Sequence, residues 1–133
     1  MFADRLTQAQ RQVVYDLAAN LAAADNDISE EEVQYLKDFS NAYGIEYSLD
    51  KNDINIDSLL KQLDSKISKI IALQELIKIS YKDGHFGDEE QDKVFLIAQK
   101  MGMNDPELMI RIESWVRRGF DWVYEGEQML ESD

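Results

Sequence analysis

The chain has 133 residues, with 27 Asp or Glu and 14 Lys or Arg, which give a formal charge of −13. Phosphate contacts supply most of the affinity of proteins for nucleic acids, so this charge argues against DNA, RNA and anionic membrane surfaces as partners. The lack of cysteine excludes disulfides, thiolate metal sites and thiol catalysis. The first residues do not resemble a signal peptide and no long apolar run occurs, so we expect a cytoplasmic protein with no direct membrane insertion.

The length and the 44% apolar content predict one folded domain over residues 1–133. Apolar residues recur at helical spacing almost throughout, which predicts an all-α fold, a compact bundle of about six to seven helices. In chain order, the predicted helices cover residues 7–24, 29–43, 58–63, 65–82, 88–101 and 106 onward, with a loop at residues 45–57.

Local signals set several of these helix ends. Ser29 and Glu32 have the spacing of a capping box at the start of the second helix. Gly44 and Gly102 are expected to end the second and fifth helices in a left-handed conformation. The helix at residues 65–82 is apolar on all sides, so we expect it to be the central and most buried one.

The last helix is expected to start from an Asp105 cap. It carries a broad set of apolar residues: Ile110, Trp115, Val116, Phe120, Trp122 and Val123. Gly119 lies inside it and predicts close packing or a bend, because glycine costs a helix about 1 kcal/mol relative to alanine. The cluster of Arg111, Arg117 and Arg118 with the two tryptophans has two interpretations. We favour a core aromatic face beside a solvated arginine edge over a surface that docks a partner.

Two stretches, residues 15–45 and 73–103, align without a gap when the chain is shifted by 58 residues. Each reads as a helix, an acidic turn, a capped helix and a glycine stop. This pattern predicts an internal repeat of two helical hairpins. Convergence of two unrelated hairpins on similar turn chemistry is the alternative.

Each acidic turn of this repeat places a Glu seven residues after an Asp. The candidate metal ligands are Asp25, Asp27, Glu32, Asp83 and Glu90. If the hairpins pack about a pseudo-twofold axis, the carboxylates of both turns meet, and an oxygen-only cluster suits Ca²⁺, Mg²⁺ or Mn²⁺. His85 is the single candidate nitrogen ligand. The competing interpretation is that Glu32 and Glu90 only cap helices and favour the positive end of the helix dipole.

Other sites are excluded or weakly supported. The turn that begins at Asp25 is not an EF-hand, because Glu30 and Leu36 stand where that loop needs Gly and Glu. One histidine cannot supply the two Glu-x-x-His motifs of a di-iron bundle, and no glycine-rich phosphate loop or catalytic triad is present. We predict no catalytic residue and no cofactor besides the divalent cation.

The two turns resemble the TerB-like family, named for tellurite resistance. The first reads Leu21-Ala22-Ala23-Ala24-Asp25-Asn26-Asp27-Ile28-Ser29-Glu30-Glu31-Glu32, and the second Asp83-Gly84-His85-Phe86 with Glu90 and Gly102 after it. Asn26 replaces the glycine of the family pattern. The resemblance covers about residues 10–130 and implies an all-helical fold of repeated hairpins with a divalent metal held by acids of both copies.

Carried over by position, the acids that match the TerB-like motif are Asp25, Glu32, Asp83 and Glu90, whereas Asp27 has no counterpart in the second copy. The resemblance also implies a cytosolic protein in a stress response, with a membrane-associated protein partner. The leading hypothesis is therefore a metal-responsive adaptor in which a divalent cation bridges the two turns. The alternative is a metal-free interaction or scaffold domain whose acids only cap helices.

Overall fold

The computed structural model describes residues 1–24, 27–82 and 85–131. Within these residues the helices are a short 3₁₀ helix (Ala3–Arg5), α1 (Gln8–Ala23), α2 (Glu30–Tyr43), α3 (Ile56–Leu60), α4 (Lys66–Ser80), α5 (Asp88–Lys100) and α6 (Pro106–Glu131). Two short strands, β1 (Tyr81–Lys82) and β2 (His85–Phe86), pair antiparallel. The helical bundle is as expected, but the helix predicted to reach Lys82 ends at Ser80, where the backbone turns extended to form this ribbon.

Helix α4 lies at the centre of the bundle and packs against α1, α2, α5 and α6. Its buried apolar residues, which include Leu73, Leu76 and Ile77, point to several sides of the helix. This confirms the prediction of a central helix. Not every apolar residue of α4 is covered: the Ile67 side chain is 61% exposed because it lies in the first turn, where α4 reaches the surface.

The predicted capping signals are present. The Ser29 amide donates to Glu32 Oε1 at 2.9 Å, and the Glu32 amide donates to Ser29 Oγ at 3.1 Å. Gly44 and Gly102 have φ values of 65° and 74°, a conformation that favours glycine. These two glycines, like the starts of α2 and α5, are 58 residues apart, the interval of the predicted repeat. The repeat itself stays a prediction.

The loop after α2 is held against α1 by one buried tyrosine. The Tyr15 hydroxyl donates to the Ser48 carbonyl at 2.9 Å and accepts from the Ser48 amide at 2.8 Å. Asn20 adds a bond from its side-chain amide to the Lys51 carbonyl at 2.7 Å. These bonds satisfy polar backbone groups that a loop packed on a helix would otherwise leave without partners.

Helix α6 has 26 residues, or roughly 39 Å at the usual helical rise. The Asp105 carboxylate accepts from the Glu107 and Leu108 amides and caps its start, as predicted. Its first half contributes Met109, Ile112 and Val116 to the core, whereas every residue from 117 to 131 is exposed. Among the described residues, no helix combines the length and apolar character needed to cross a bilayer.

The interpretation of the α6 aromatics as a core face is therefore wrong for its second half. Trp115 is half-buried and stacks on Phe2 with ring centroids 6.1 Å apart, but the Trp122 side chain is 77% exposed. Phe120 and Val123 are exposed as well. The cause is the length of α6, which continues past the bundle and leaves these side chains uncovered. The same helix shows no close packing at Gly119, where an added Cβ meets no atom of the described structure within 4 Å.

Candidate functional site

The acids of the first turn have different environments. Glu32 is buried, and its carboxylate closes the capping box at the start of α2, the role that the competing interpretation assigned to it. Asp27 is exposed in the segment before α2. Asp25 lies outside the described residues.

In the second turn, Glu90 is half-buried at the third position of α5. Its carboxylate folds back over Gly87, the residue before the helix, so closely that a Cβ at position 87 would overlap it. Asp83 and the imidazole of His85 lie outside the description. Among residues 1–24, 27–82 and 85–131 the structure brings together no group of three or more His, Cys, Asp or Glu side chains that could hold a metal.

Sequence reasoning missed a buried carboxylate on the central helix. Glu75 is only 3% exposed. The Tyr35 hydroxyl of α2 donates to Glu75 Oε2 at 2.5 Å, the Met1 ammonium lies 3.1 Å from Oε1, and Lys78 Nζ lies 3.3 Å from Oε2. One signal in the sequence could have revealed it: Glu75 is the single acid in a helix that also holds Ile71, Leu73, Leu76 and other apolar residues. A buried acid requires hydrogen-bonding or charged partners, so its position predicts a polar cluster.

The contacts of this cluster shift the pKa values of both acidic partners. Burial acts to raise the pKa of Glu75, but the positive charge of Lys78, the hydrogen bond from Tyr35 and the Met1 ammonium outweigh it, so the pKa lies below its usual value. Burial and the adjacent Glu75 carboxylate raise the pKa of Tyr35 well above its usual value. Glu75 is therefore charged and Tyr35 neutral near pH 7, and their hydrogen bond attaches α2 to α4.

Helix α2, which this hydrogen bond attaches to α4, forms one wall of an open groove, and α6 forms the other wall. We call this the α2–α6 groove; its volume is about 920 Å³. Its apolar lining consists of Tyr35, Ile79, Tyr81, Phe120, Val123 and Tyr124. Tyr81 and Phe120 stack with ring centroids 5.2 Å apart, which connects the end of α4 to α6 at the base of the groove.

Carboxylates surround this apolar surface. Glu31 and Asp38 lie on α2, and Asp121 and Glu127 lie on α6. Among the described lining residues Lys78 is the only cation, and it is already paired with Glu75. The groove is therefore apolar at its base and negative along both walls, a combination that attracts a cationic ligand with an apolar face.

The comparisons of the chain with models of protein families, with functionally characterised proteins and with solved structures found no match. The resemblance to the TerB-like family thus remains a prediction from the residues of the two turns. The fold and the groove define the protein as an acidic helical domain with an apolar surface that the described residues leave uncovered.

Proposed function

We propose that this chain is a cytoplasmic protein-interaction domain that binds a cationic amphipathic helix of a partner protein in the α2–α6 groove. The observation that carries the proposal is the apolar base of the groove between two walls of carboxylates. Amphipathic helices bind other proteins by placing apolar side chains at positions i, i+3, i+4 and i+7 in such grooves. The alternative in which the acids of the turns only cap helices agrees with the observed role of Glu32.

The exposed side chains of α6 support a docking role. Phe120, Val123 and Tyr124 are all exposed although they line the groove. A contiguous apolar patch on a protein surface is typical of an interaction site, whereas single exposed apolar residues are not. Burial of apolar surface, which contributes about 25 cal/mol per Å², would supply affinity. The surrounding carboxylates would select a basic ligand.

A designed helical peptide with a leucine face and a lysine-rich opposite face tests this proposal. We expect fluorescence anisotropy to give micromolar binding, because one short helix covers less than a standard protein interface. A scrambled peptide of the same composition controls for the attraction of any cation to a chain of charge −13. Equal binding of the ordered and scrambled peptides would contradict a shaped groove.

A charge reversal in the groove should weaken the binding of that peptide. We expect Asp121→Lys to raise the dissociation constant about tenfold, because it places a positive charge beside the cationic ligand and removes an attraction. Glu107→Lys is the matched control, since it makes the same change in charge on an exposed residue of α6 away from the groove. If both variants bind equally, the groove is not the site.

We also propose, as a second candidate, the divalent-metal-binding adaptor in a stress response that the TerB-like resemblance implies. It is supported by the duplicated spacing of Asp25 to Glu32 and of Asp83 to Glu90. In this version Ca²⁺, Mg²⁺ or Mn²⁺ connects the two turns, Asp27 adds an oxygen ligand, and the cation sets the angle between the hairpins that present the groove.

Thermal unfolding after chelation and then with added metal tests the second candidate. A cation at tenfold its dissociation constant should stabilise the folded state by about 1.4 kcal/mol and raise Tm by several degrees. The double variant Asp83→Asn, Glu90→Gln should lose this increase, whereas the control Asp92→Asn, Glu107→Gln should keep it. An unchanged Tm at millimolar metal, or a full increase in the first variant, would eliminate the metal site but not the groove.

A further inference from the structure

A second surface of α6 has a regular pattern of large and small side chains. Trp115, Gly119, Trp122, Gly126 and Met129 follow a four-three spacing, which places them along one face of the helix. We call this face the Trp–Gly stripe. Its first three residues border an open depression of about 610 Å³, together with Met1 and Lys78 of the bundle. Trp122 and Met129 are strongly exposed along it.

Within the described residues, nothing packs against the two glycines of the Trp–Gly stripe. A Cβ added at Gly119 or Gly126 would meet no atom of the described structure within 4 Å. Both lie inside a long helix, where glycine is less favourable than alanine. A surface without side chains allows close approach by another backbone or by a large side chain, and no described residue of this copy makes that approach.

The charges along α6 indicate how another helix would approach. The part of α6 nearer the bundle carries Arg117 and Arg118, and the outer part carries Glu125, Glu127 and Glu131. Two copies side by side in parallel would place like charges together. Two antiparallel copies would place the arginines of each beside the glutamates of the other, since cross-helix pairs at flanking positions set orientation.

We infer that α6 pairs antiparallel with α6 of a second copy through the Trp–Gly stripe. In the antiparallel register that brings Arg118 near Glu125, Trp122 of one copy faces Gly119 of the other and Gly126 faces Trp115, so each large ring fills the space that a glycine leaves open. Arg118 and Glu125 flank the stripe on one side and meet their opposites across the two-fold axis. Trp122 of each copy offers roughly 150–250 Å² of surface, and the exposed Met129 and the helix surface that each ring covers add to the buried area.

This pairing uses a different side of α6 from much of the α2–α6 groove, although Phe120 and Val123 border both surfaces. Tyr124 and Glu127, which line that groove, project from a different side of α6 than Trp122 because of the helical rotation between them. The inference therefore does not depend on the proposed partner. Its test uses the protein alone, so either proposal can fail without the other.

Sedimentation equilibrium over a range of protein concentrations measures the pairing. We expect the unaltered chain to form dimers with a micromolar dissociation constant, and Trp122→Ala to raise that constant at least tenfold, as for a central aromatic residue of an interface. Gln128→Ala, on the polar side of the same helix, is the matched control. Circular dichroism should show the same helix content in all variants, because neither side chain is buried in the monomer.

Glycine replacement distinguishes pairing from a property of the isolated helix. If α6 does not pair, Gly126→Ala should only increase the helix propensity of α6 and leave the mass of the protein unchanged. With pairing, the added methyl groups hold the two backbones apart, and we expect the dissociation constant to rise about fivefold or more although helix propensity improves. A mass that stays monomeric at about 200 µM for the unaltered chain, well above a micromolar constant, would overturn the inference. So would an unchanged dissociation constant in Gly126→Ala.

Charge reversal tests the antiparallel direction. Arg118→Glu should weaken the dimer about fivefold, because it places two acids beside each other across the axis. Adding Glu125→Arg to the same chain should restore most of the affinity, since the pair then has opposite charges again. Failure of the double variant to recover would exclude this antiparallel pairing.

Discussion

Replacement of Glu75 by alanine is expected to reduce the free energy of unfolding by about 2–3 kcal/mol, measured by urea denaturation at pH 7. The loss comes mainly from Tyr35, whose buried hydroxyl donates to this carboxylate and would have no acceptor. Lys78 and the Met1 ammonium contribute less, because both are partly exposed and can return to water. The change also removes the bond that attaches α2 to α4.

Glu75→Gln is the matched control, because its side-chain oxygen still accepts from Tyr35 while the negative charge is lost. We expect about half the loss seen for alanine, or about 1 kcal/mol. Tyr35→Phe should cost a similar amount, because it keeps the ring packed and removes only one hydrogen bond. If alanine and glutamine at position 75 are equally tolerated, the hydrogen bond does not hold the two helices together.

The same carboxylate predicts part of the pH dependence of stability. Its pKa in the folded protein lies below the usual value of 4.5, so the stabilisation is present above that pH and is lost as the pH falls through the folded pKa. The difference in unfolding free energy between the unaltered chain and Glu75→Gln should therefore decrease below about pH 4.5. A difference that stays constant down to pH 3 would contradict the ion-pair contribution.

Leu76→Ala is expected to have the largest effect of any single change considered, a loss of about 2–5 kcal/mol in the free energy of unfolding. Leu76 is completely buried in the central helix, and the cavity left by its side chain would be closed to water. Ile67→Ala, on the same helix, is the control. Ile67 is mostly exposed, so we expect a change of less than about 0.5 kcal/mol.

Urea denaturation of both variants compares one buried and one exposed aliphatic residue within α4. Equal losses would mean that Ile67 is covered in solution, and a small loss at Leu76 would mean that α4 is not the central helix. The comparison also concerns function, because α4 supports α2 and α6, the two walls of the groove. We expect Leu76→Ala to weaken binding of the cationic peptide only as far as it unfolds the protein.

Helix ends were predictable from the sequence where a short-range bond decides them. The capping box of Ser29 and Glu32 connects residues three apart, and the left-handed Gly44 follows directly from the absence of a side chain. Such signals need no knowledge of the rest of the fold. The capping role also makes the function of Glu32 hard to infer from its position alone. A glutamate at the start of a helix can serve as a cap or as a metal ligand, and the sequence is the same in both cases.

The groove was not predictable in the same way. Its walls, α2 and α6, are separated by more than sixty residues, and the bond that orients one wall joins Tyr35 to Glu75, 40 residues away. Periodicity showed that α6 has a broad apolar surface but could not show where the bundle ends along it. The favoured interpretation of Trp122 as a core residue was wrong for that reason.

The sequence by itself determined the helical class, most helix boundaries and the strongly negative charge, because backbone propensities and capping bonds act over a few residues. Only the tertiary structure decided which apolar side chains are covered. Burial depends on partners far away in the chain, so Leu76 is enclosed while Trp122, in the apolar set of another helix, faces solvent. The same long-range packing turned scattered acids and aromatics into a groove with an apolar base and negative walls.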